Sequence, residues 1–352
     1  MRIAFIGDGS LNHVRRWAGW FAGRGHDVLL LSFEDVDGCG VPARRLRKRL
    51  PTKLAGYLAA LGPLRREIAR FEPDVVNALY VTGYGFVGVL AGRRPVVVSA
   101  LGSDLLVDYP ASAVHRAQVR FALSRADLVT TDADVLSAAA REAGAHADRI
   151  LKAYFGIDET LFHPGDGVRD SDPSLVVSTR NLHPVYDLDT LLGAAPAING
   201  AGARIILCGD GPERGRLEER AAREGLDAVF AGRQAPEAIA ALLRRAAVYV
   251  STARSDSTSV SLIEAMACGA VPVVTGIEAN REWIDDGRGG RLVPPGDSAA
   301  LAGAVADVLG DDAFAAAARE RNRRIVEERG RFEDNMRRVE EAFLGLAGED
   351  GR

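Results

Sequence analysis

The feature that most constrains this chain is an alternation. Short runs rich in Val, Ile and Leu are followed by longer segments of Ala, Leu, Arg and Glu with helical period. A strand, a crossover helix and a second strand make a parallel pair, and a parallel sheet needs helices on both faces. Strands are expected at 2–7, 27–32, 74–78, 95–100, 128–131 and 150–153, then at 175–178, 204–208, 228–231, 248–251, 271–275 and 291–293. Six strands per half is the content of a doubly wound α/β sheet, twice over. A chain of 352 residues is long enough for two cores of ordinary size. The polar stretch from His163 to Pro173, rich in Gly, Pro and Asp, reads as the link between them. The expected division is 1–165 and 166–330, with a C-terminal helix over 331–348 that could pack back on the first domain.

Composition narrows the class. A formal charge of −4 argues against a general nucleic-acid binder, and 47% hydrophobic residues argue against disorder. Cys39, Cys208 and Cys268 are too scattered for a disulfide framework or a structural zinc site. The apolar run at 3–6 is too short for a signal peptide, and no stretch approaches the roughly 18 apolar residues of a membrane span. A soluble, cytoplasmic protein is expected.

Two glycine turns follow strands, at Gly7 and Gly9 and at Gly209 and Gly211. Backbone N–H groups at such turns approach phosphates. Neither turn completes the dinucleotide fingerprint, because Asn12 and Arg214 hold the third glycine position. A tight turn alone explains each pair equally well. Paired aspartates at Asp35/Asp37, Asp132/Asp134 and Asp187/Asp189 flank expected helix starts, where Asp is a favoured cap, so no metal is expected. The six histidines show no ligand spacing, and His13 alone is expected to face a cleft. A basic tract spans 44–70, with Leu46, Leu50, Leu54, Leu58 and Leu61 giving it a partly apolar face. It reads as a solvated helical face, or as a contact for an anionic membrane or a phosphorylated acceptor.

The segment from Ser255 to Val274 carries the chemistry. It starts just past an expected strand end and holds a helix expected over 259–267, which Gly269 can end. Asp256 lies in the loop before that helix, and Glu264 lies within it. A carboxylate in each place can grip hydroxyls at two separated points of one ligand. The N–H groups of Ser257, Thr258, Ser259, Val260 and Ser261 would face an anion such as a diphosphate.

Two acids separated by seven residues, then a small-residue helix and Pro272-Val273-Val274, resemble the family 4 retaining glycosyltransferases of GT-B fold. Further matches run in the family's order: Arg24-Gly25-His26-Asp27, Gly102-Ser103-Asp104, Phe155-Gly156-Ile157-Asp158, the segment 178–182 around Arg180, Gly209-Asp210-Gly211-Pro212 and Asn280-Arg281-Glu282-Trp283. The resemblance implies two Rossmann-like domains facing across a cleft, with acceptor bound by 1–165 and a nucleotide-diphosphate sugar, expected to be a UDP-sugar, by 166–330. It implies that Glu264 holds the donor ribose, Asp256 holds sugar hydroxyls and Arg180 neutralises the diphosphate, with Gly9, Gly209 and residues 257–261 completing the donor set. Asn12, His13, Gly102, Ser103 and Asp104 are the acceptor-side candidates. It also implies retention by front-face attack, with neither metal nor cofactor. The acceptor would be a small molecule, a glycan or a lipid-linked hydroxyl, the last with peripheral membrane contact through 44–70. Three positions depart from the family: Asp256 stands where Glu is usual, Tyr186 where a Lys commonly follows the Arg by six, and Leu101 where a His often precedes the Gly-Ser-Asp loop. Rival readings are a GT-B nucleotide-sugar epimerase and a degenerate sugar-nucleotide-binding partner.

Overall fold

The computed structural model describes residues 1–47, 53–165 and 172–349. It contains two parallel sheets. The first is built from β1 (Arg2–Ile6), β2 (Asp27–Ser32), β3 (Ala43–Arg45), β4 (Val75–Leu79), β5 (Val96–Ser99), β6 (Leu128–Thr131) and β7 (Ile150–Lys152). The second holds β8 (Asp172–Ser178), β9 (Arg204–Cys208), β10 (Ala228–Gly232), β11 (Ala246–Ser251), β12 (Val271–Thr275) and β13 (Arg291–Val293). Strands β4, β11 and β12 are buried at every position, as strands covered on both faces must be.

The orders are β3-β2-β1-β4-β5-β6-β7 and β10-β9-β8-β11-β12-β13. Winding therefore reverses between β1 and β4 in one sheet and between β8 and β11 in the other. Loops leaving the carboxyl ends of two such strands diverge and open a crevice, where ligands of α/β folds bind. Each unit thus has one place prepared by topology.

The chain divides into Met1–Phe155 with Asp334–Arg352, and Gly156–Glu333. The boundary falls ten residues before the expected one, because Ile157 pairs with Arg331 and draws the segment after Phe155 into the second unit. Residues 166–171 of the expected link lie outside the described residues. The C-terminal helix Phe332–Glu349 packs on the first unit, where Met336, Val339 and Phe343 are buried. Phe343 stacks on Phe21 at 5.3 Å, and Glu340 meets Arg24 and His26.

Two sequence expectations change. The basic tract is not one helical face: Ala43–Arg45 is a seventh strand at the sheet edge, where charged side chains discourage pairing with another chain. Of the leucines expected on its apolar face, Leu46 is buried, Leu54 and Leu61 are half-buried and Leu58 is exposed, while Lys48, Arg49 and Leu50 lie outside the described residues; Leu64 and Ile68 of the same tract are buried. Nor do the paired aspartates cap helices through their side chains. Asp187 bonds the Thr190 hydroxyl and Arg254, Asp189 pairs with Arg216 and Arg220, and Asp134 pairs with Lys152.

Candidate active site

In the second unit the loops after β8 and β11 flank the reversal point, and together they hold Arg180. Its side chain is buried, 7% exposed overall, a place where a lone cation is costly. The cost is met on three sides. Nη2 donates to Asp256 Oδ2 at 2.7 Å, and Nη1 donates to Ser259 Oγ at 2.6 Å and Ser261 Oγ at 3.0 Å. The guanidinium carbon also lies 4.0 Å from the centroid of the Tyr186 ring. Burial opposes the charge most strongly, but the Asp256 carboxylate together with Tyr249 and Tyr186 outweighs it and holds Arg180 above its ordinary pKa.

Helix Val260–Cys268 supplies the hydroxyls. Ser259 caps it by accepting from the Leu262 N–H, and Gly269 closes it in the left-handed conformation. Ser261 bonds the hydroxyl of Tyr249, a fully buried residue of β11. Glu264, three residues beyond Ser261, shares its helix face and is half-buried. Ser257, Thr258 and Ser259 are all buried. The Ser257 N–H already donates to Asp256 Oδ1, so that part of the expected anion-facing array orients the acid instead.

Three polar atoms in succession, Ser178 Oγ, Thr179 Oγ1 and Arg180 Nε, are buried without a hydrogen-bond partner. Orphaned groups of this kind are rare in folded proteins, and three side by side mark a place built for polar contact. Gly209 and Gly211 explain how the neighbouring loop comes so close. A Cβ on Gly209 would lie 2.5 Å from the Arg180 carbonyl oxygen, and one on Gly211 would lie 2.3 Å from that of Leu182. Here glycine is required by loop-on-loop packing.

The backbone that carries Tyr186 is anchored to the loop after β11. The Tyr186 carbonyl accepts from the Thr252 hydroxyl, and the Val185 carbonyl accepts from the Arg254 N–H. The residue that replaces the family's usual Lys is thus a platform for the remaining cation.

In the first unit a cavity of about 470 Å³ opens at the reversal point between β1 and β4. Asp8, Leu11 and Val14 line it from one side, and Tyr80, Thr82 and Tyr84 from the other. Of the acceptor-side candidates, none lines the cavity, although Leu101 and Asp108 beside them do. Asp104 is fully buried and accepts from the N–H groups of Val81, Leu101 and Leu105, so it ties loops together. Burial pushes its carboxyl up to about 6 against the pull of those donors. Ser103 is exposed and bonds the Tyr80 hydroxyl. Asn12 is exposed, while His13 packs its ring 5.7 Å from Phe155, and burial lowers its pKa. Gly9 belongs to this unit; its N–H donates to Ser32 Oγ and its carbonyl accepts from Arg15. Sequence reasoning passed over the tyrosines. Three of the chain's seven, Tyr57, Tyr80 and Tyr84, line one cavity, which no local pattern in the sequence announces.

A family model described as "Glycosyl transferases group 1" matches residues 173–311, which include Arg180, Asp256 and Glu264, and one described as "Glycosyl transferase 4-like" matches 2–133. The N-acetyl-alpha-D-glucosaminyl L-malate synthase of Bacillus anthracis is 25% identical over 311 residues, 84% of this chain and 81% of that protein. A D-inositol 3-phosphate glycosyltransferase of Acidothermus cellulolyticus is 28% identical over 75% of this chain; the chain spans 65% of that relative's length. Among solved structures, Anabaena Alr3699/HepE in complex with UDP-glucose superposes with a TM-score of 0.83 at 22% identity, covering 98% of this chain and all of that one. Sucrose-phosphate synthase from Thermosynechococcus elongatus gives 0.85 at 20% identity, covering 99% and 100%. The fold is that of the GT-B class of glycosyltransferases. The chain itself belongs to the group 1, family 4-like glycosyltransferases and is a glycosyltransferase enzyme.

Proposed function

We propose that this enzyme moves a sugar from a nucleotide-diphosphate sugar, with UDP as the nucleotide, onto an acceptor hydroxyl, with retention and without a metal ion. The observation that carries the reading is Arg180, a buried cation bracketed by Asp256, Ser259 and Ser261 beside three unpartnered polar atoms. A fixed positive charge in a dry site is what a leaving diphosphate requires. The bond from the anomeric carbon to the phosphate oxygen breaks, and Arg180 offsets the charge that collects on the diphosphate. The acceptor oxygen bonds the anomeric carbon from the same face, and its proton passes to the leaving phosphate oxygen. No protein nucleophile takes part, unlike in the two-carboxylate scheme of glycosidases.

Asp256 serves the sugar hydroxyls in this scheme. A carboxylate offers about four acceptor directions, and Arg180 and Ser257 use only some of them. Glu264 holds the ribose, and the HepE structures with UDP and UDP-glucose support UDP as the first nucleotide to test. The first unit binds the acceptor, a small molecule, a glycan or a lipid-linked hydroxyl. The exposed arginines of 44–70 give a cytoplasmic enzyme an electrostatic hold on an anionic membrane surface.

A thermal-shift comparison tests the donor, because a ligand that binds only the folded chain raises its melting temperature. UDP should raise it more than GDP, ADP or dTDP, and sugar transfer should persist in EDTA. A larger shift with another nucleotide overturns the UDP assignment, and turnover that stops in EDTA and returns with a divalent ion overturns metal independence.

A further inference from the structure

The hold on Arg180 continues one residue deeper into the second unit. Strand β11 runs between β8 and β12 in the middle of its sheet and is buried at every position. From Ala246 to Val250 its side chains are apolar except for that of Tyr249, which is wholly buried. A Phe would fill the same volume, whereas a phenol shut away from water is costly unless its oxygen finds a partner. The partner is Ser261 Oγ at 2.8 Å, and Ser261 Oγ lies 3.2 Å from Ser259 Oγ. Both serines accept from Arg180 Nη1. Tyr249 therefore stands behind the cation, joined to it through one serine.

A count of protons gives the chain of hydroxyls its direction. Each hydroxyl carries one proton and accepts at two lone pairs. Ser259 Oγ already accepts from Arg180 and from the Leu262 N–H, so its proton goes to Ser261. Ser261 Oγ then accepts from Ser259 and Arg180, which leaves its own proton for Tyr249 Oη. A hydroxyl that donates is also the better acceptor, so the bond to Tyr249 strengthens the bond from Arg180. Burial raises the phenol pKa against the pull of Arg180 and Ser261, which keeps Tyr249 neutral beside the cation.

We infer that Tyr249 is a positioning residue for sugar transfer: its hydroxyl fixes Ser261, and through Ser261 it holds the Arg180 guanidinium where the leaving diphosphate gathers charge. The inference rests on the reading of Arg180 as the cation that offsets the leaving group. Asp256 fixes Nη2, but a guanidinium held at one nitrogen can still swing about that contact. Ser259 and Ser261 hold the other nitrogen. Ser259 is tied to its own helix by the Leu262 N–H, while Ser261 is tied to the sheet by Tyr249.

The test compares the full chain with Tyr249→Phe, which removes only the hydroxyl, and with Ser261→Ala, which keeps the backbone N–H and the Ser259 cap. UDP release from UDP-glucose, with water as acceptor, should fall about three- to tenfold in each variant, while UDP affinity changes less than twofold. The double variant should lose no more than the worse single one, because both remove the same link. The Arg180 Nη resonances, assigned by their absence in Arg180→Lys, should be distinct in the wild-type chain and collapse together in Tyr249→Phe. Unchanged UDP release, an equal loss of UDP affinity, additive losses, or Arg180 resonances untouched by Tyr249→Phe overturns the inference. Full UDP release in Arg180→Ala would instead sink the leaving-group reading and this inference with it. A wild-type chain that neither binds UDP nor releases it sinks the donor reading, and the Arg180 resonances then decide the role of Tyr249 by themselves.

Discussion

Arg180 shows how much one residue can depend on another far away in sequence. Its partner Asp256 is 76 positions on, and Tyr186 supplies a ring face where the family commonly has a second cation. If Arg180 offsets the leaving-group charge, Arg180→Ala should lower kcat by about 10²–10³ while weakening UDP binding far less. Arg180→Lys should recover little, because an ammonium cannot make the forked contacts to Asp256, Ser259 and Ser261 together. Tyr186→Leu should cost about 2- to 20-fold in kcat through loss of the stacking face. Steady-state kinetics with direct measurement of UDP affinity checks all three. Equal loss of binding and turnover in Arg180→Ala would make it an anchor for the ground state only. The placement of Asp256 before one helix and Glu264 within it was legible in the sequence because it is local. The grip on Arg180 was not, since it joins the ends of two strands brought together by the sheet.

At the scale of elements, helix Phe332–Glu349 is the clearest case. Its amphipathic period was readable, but the surface it packs on was not. Glu340 accepts from Arg24 at 3.1 Å and sits 2.7 Å from His26 Nε2, on the turn before β2. Burial alone would raise the Glu340 carboxyl, but bonds from Arg24 and His26 outweigh it and hold the group below its ordinary pKa. The native state therefore binds fewer protons here than the unfolded chain in the acid range, and stability from this group rises with pH there. That contribution is full above the ordinary carboxyl pKa and lost as pH falls through the depressed native value. Glu340→Gln should lower the stability of the first unit by about 2 kcal/mol near neutral pH, with the difference shrinking as pH falls below the ordinary carboxyl pKa. Denaturant melts across that acid range and at neutral pH decide it; a pH-independent difference would mean that packing, not charge, is what Glu340 provides.

Across the whole molecule a net charge of −4 hides separate fields. Arg44, Arg45, Arg47, Arg65, Arg66 and Arg70 are exposed, whereas the described lining of the nearby cavity includes Asp8, Glu34 and Asp108. Helix Leu61–Phe71 spends Leu64 and Ile68 on the core, so the membrane contact proposed for this tract would rest on charge. Cosedimentation with vesicles rich in anionic lipid should therefore occur at low salt and disappear near about 0.5 M NaCl, and an Arg65→Glu/Arg66→Glu/Arg70→Glu variant should not sediment. Binding that survives high salt would require an apolar insertion elsewhere.

The alternation of strands and helices determined two parallel α/β units, because period and turn residues are local properties of the chain. Twelve of the thirteen strands among the described residues follow from them; β3 does not, since three residues with two arginines carry no strand signal until the sheet edge gives them a partner. The acid pair and its capped helix were likewise local. Tertiary structure alone decided which loops share a crevice. The sheet order sets β8 beside β11 and β1 beside β4, and only that order brings Arg180 to Asp256 and Tyr80 to Asp8 around one cavity. Strand order depends on contacts between distant segments, which no local pattern encodes.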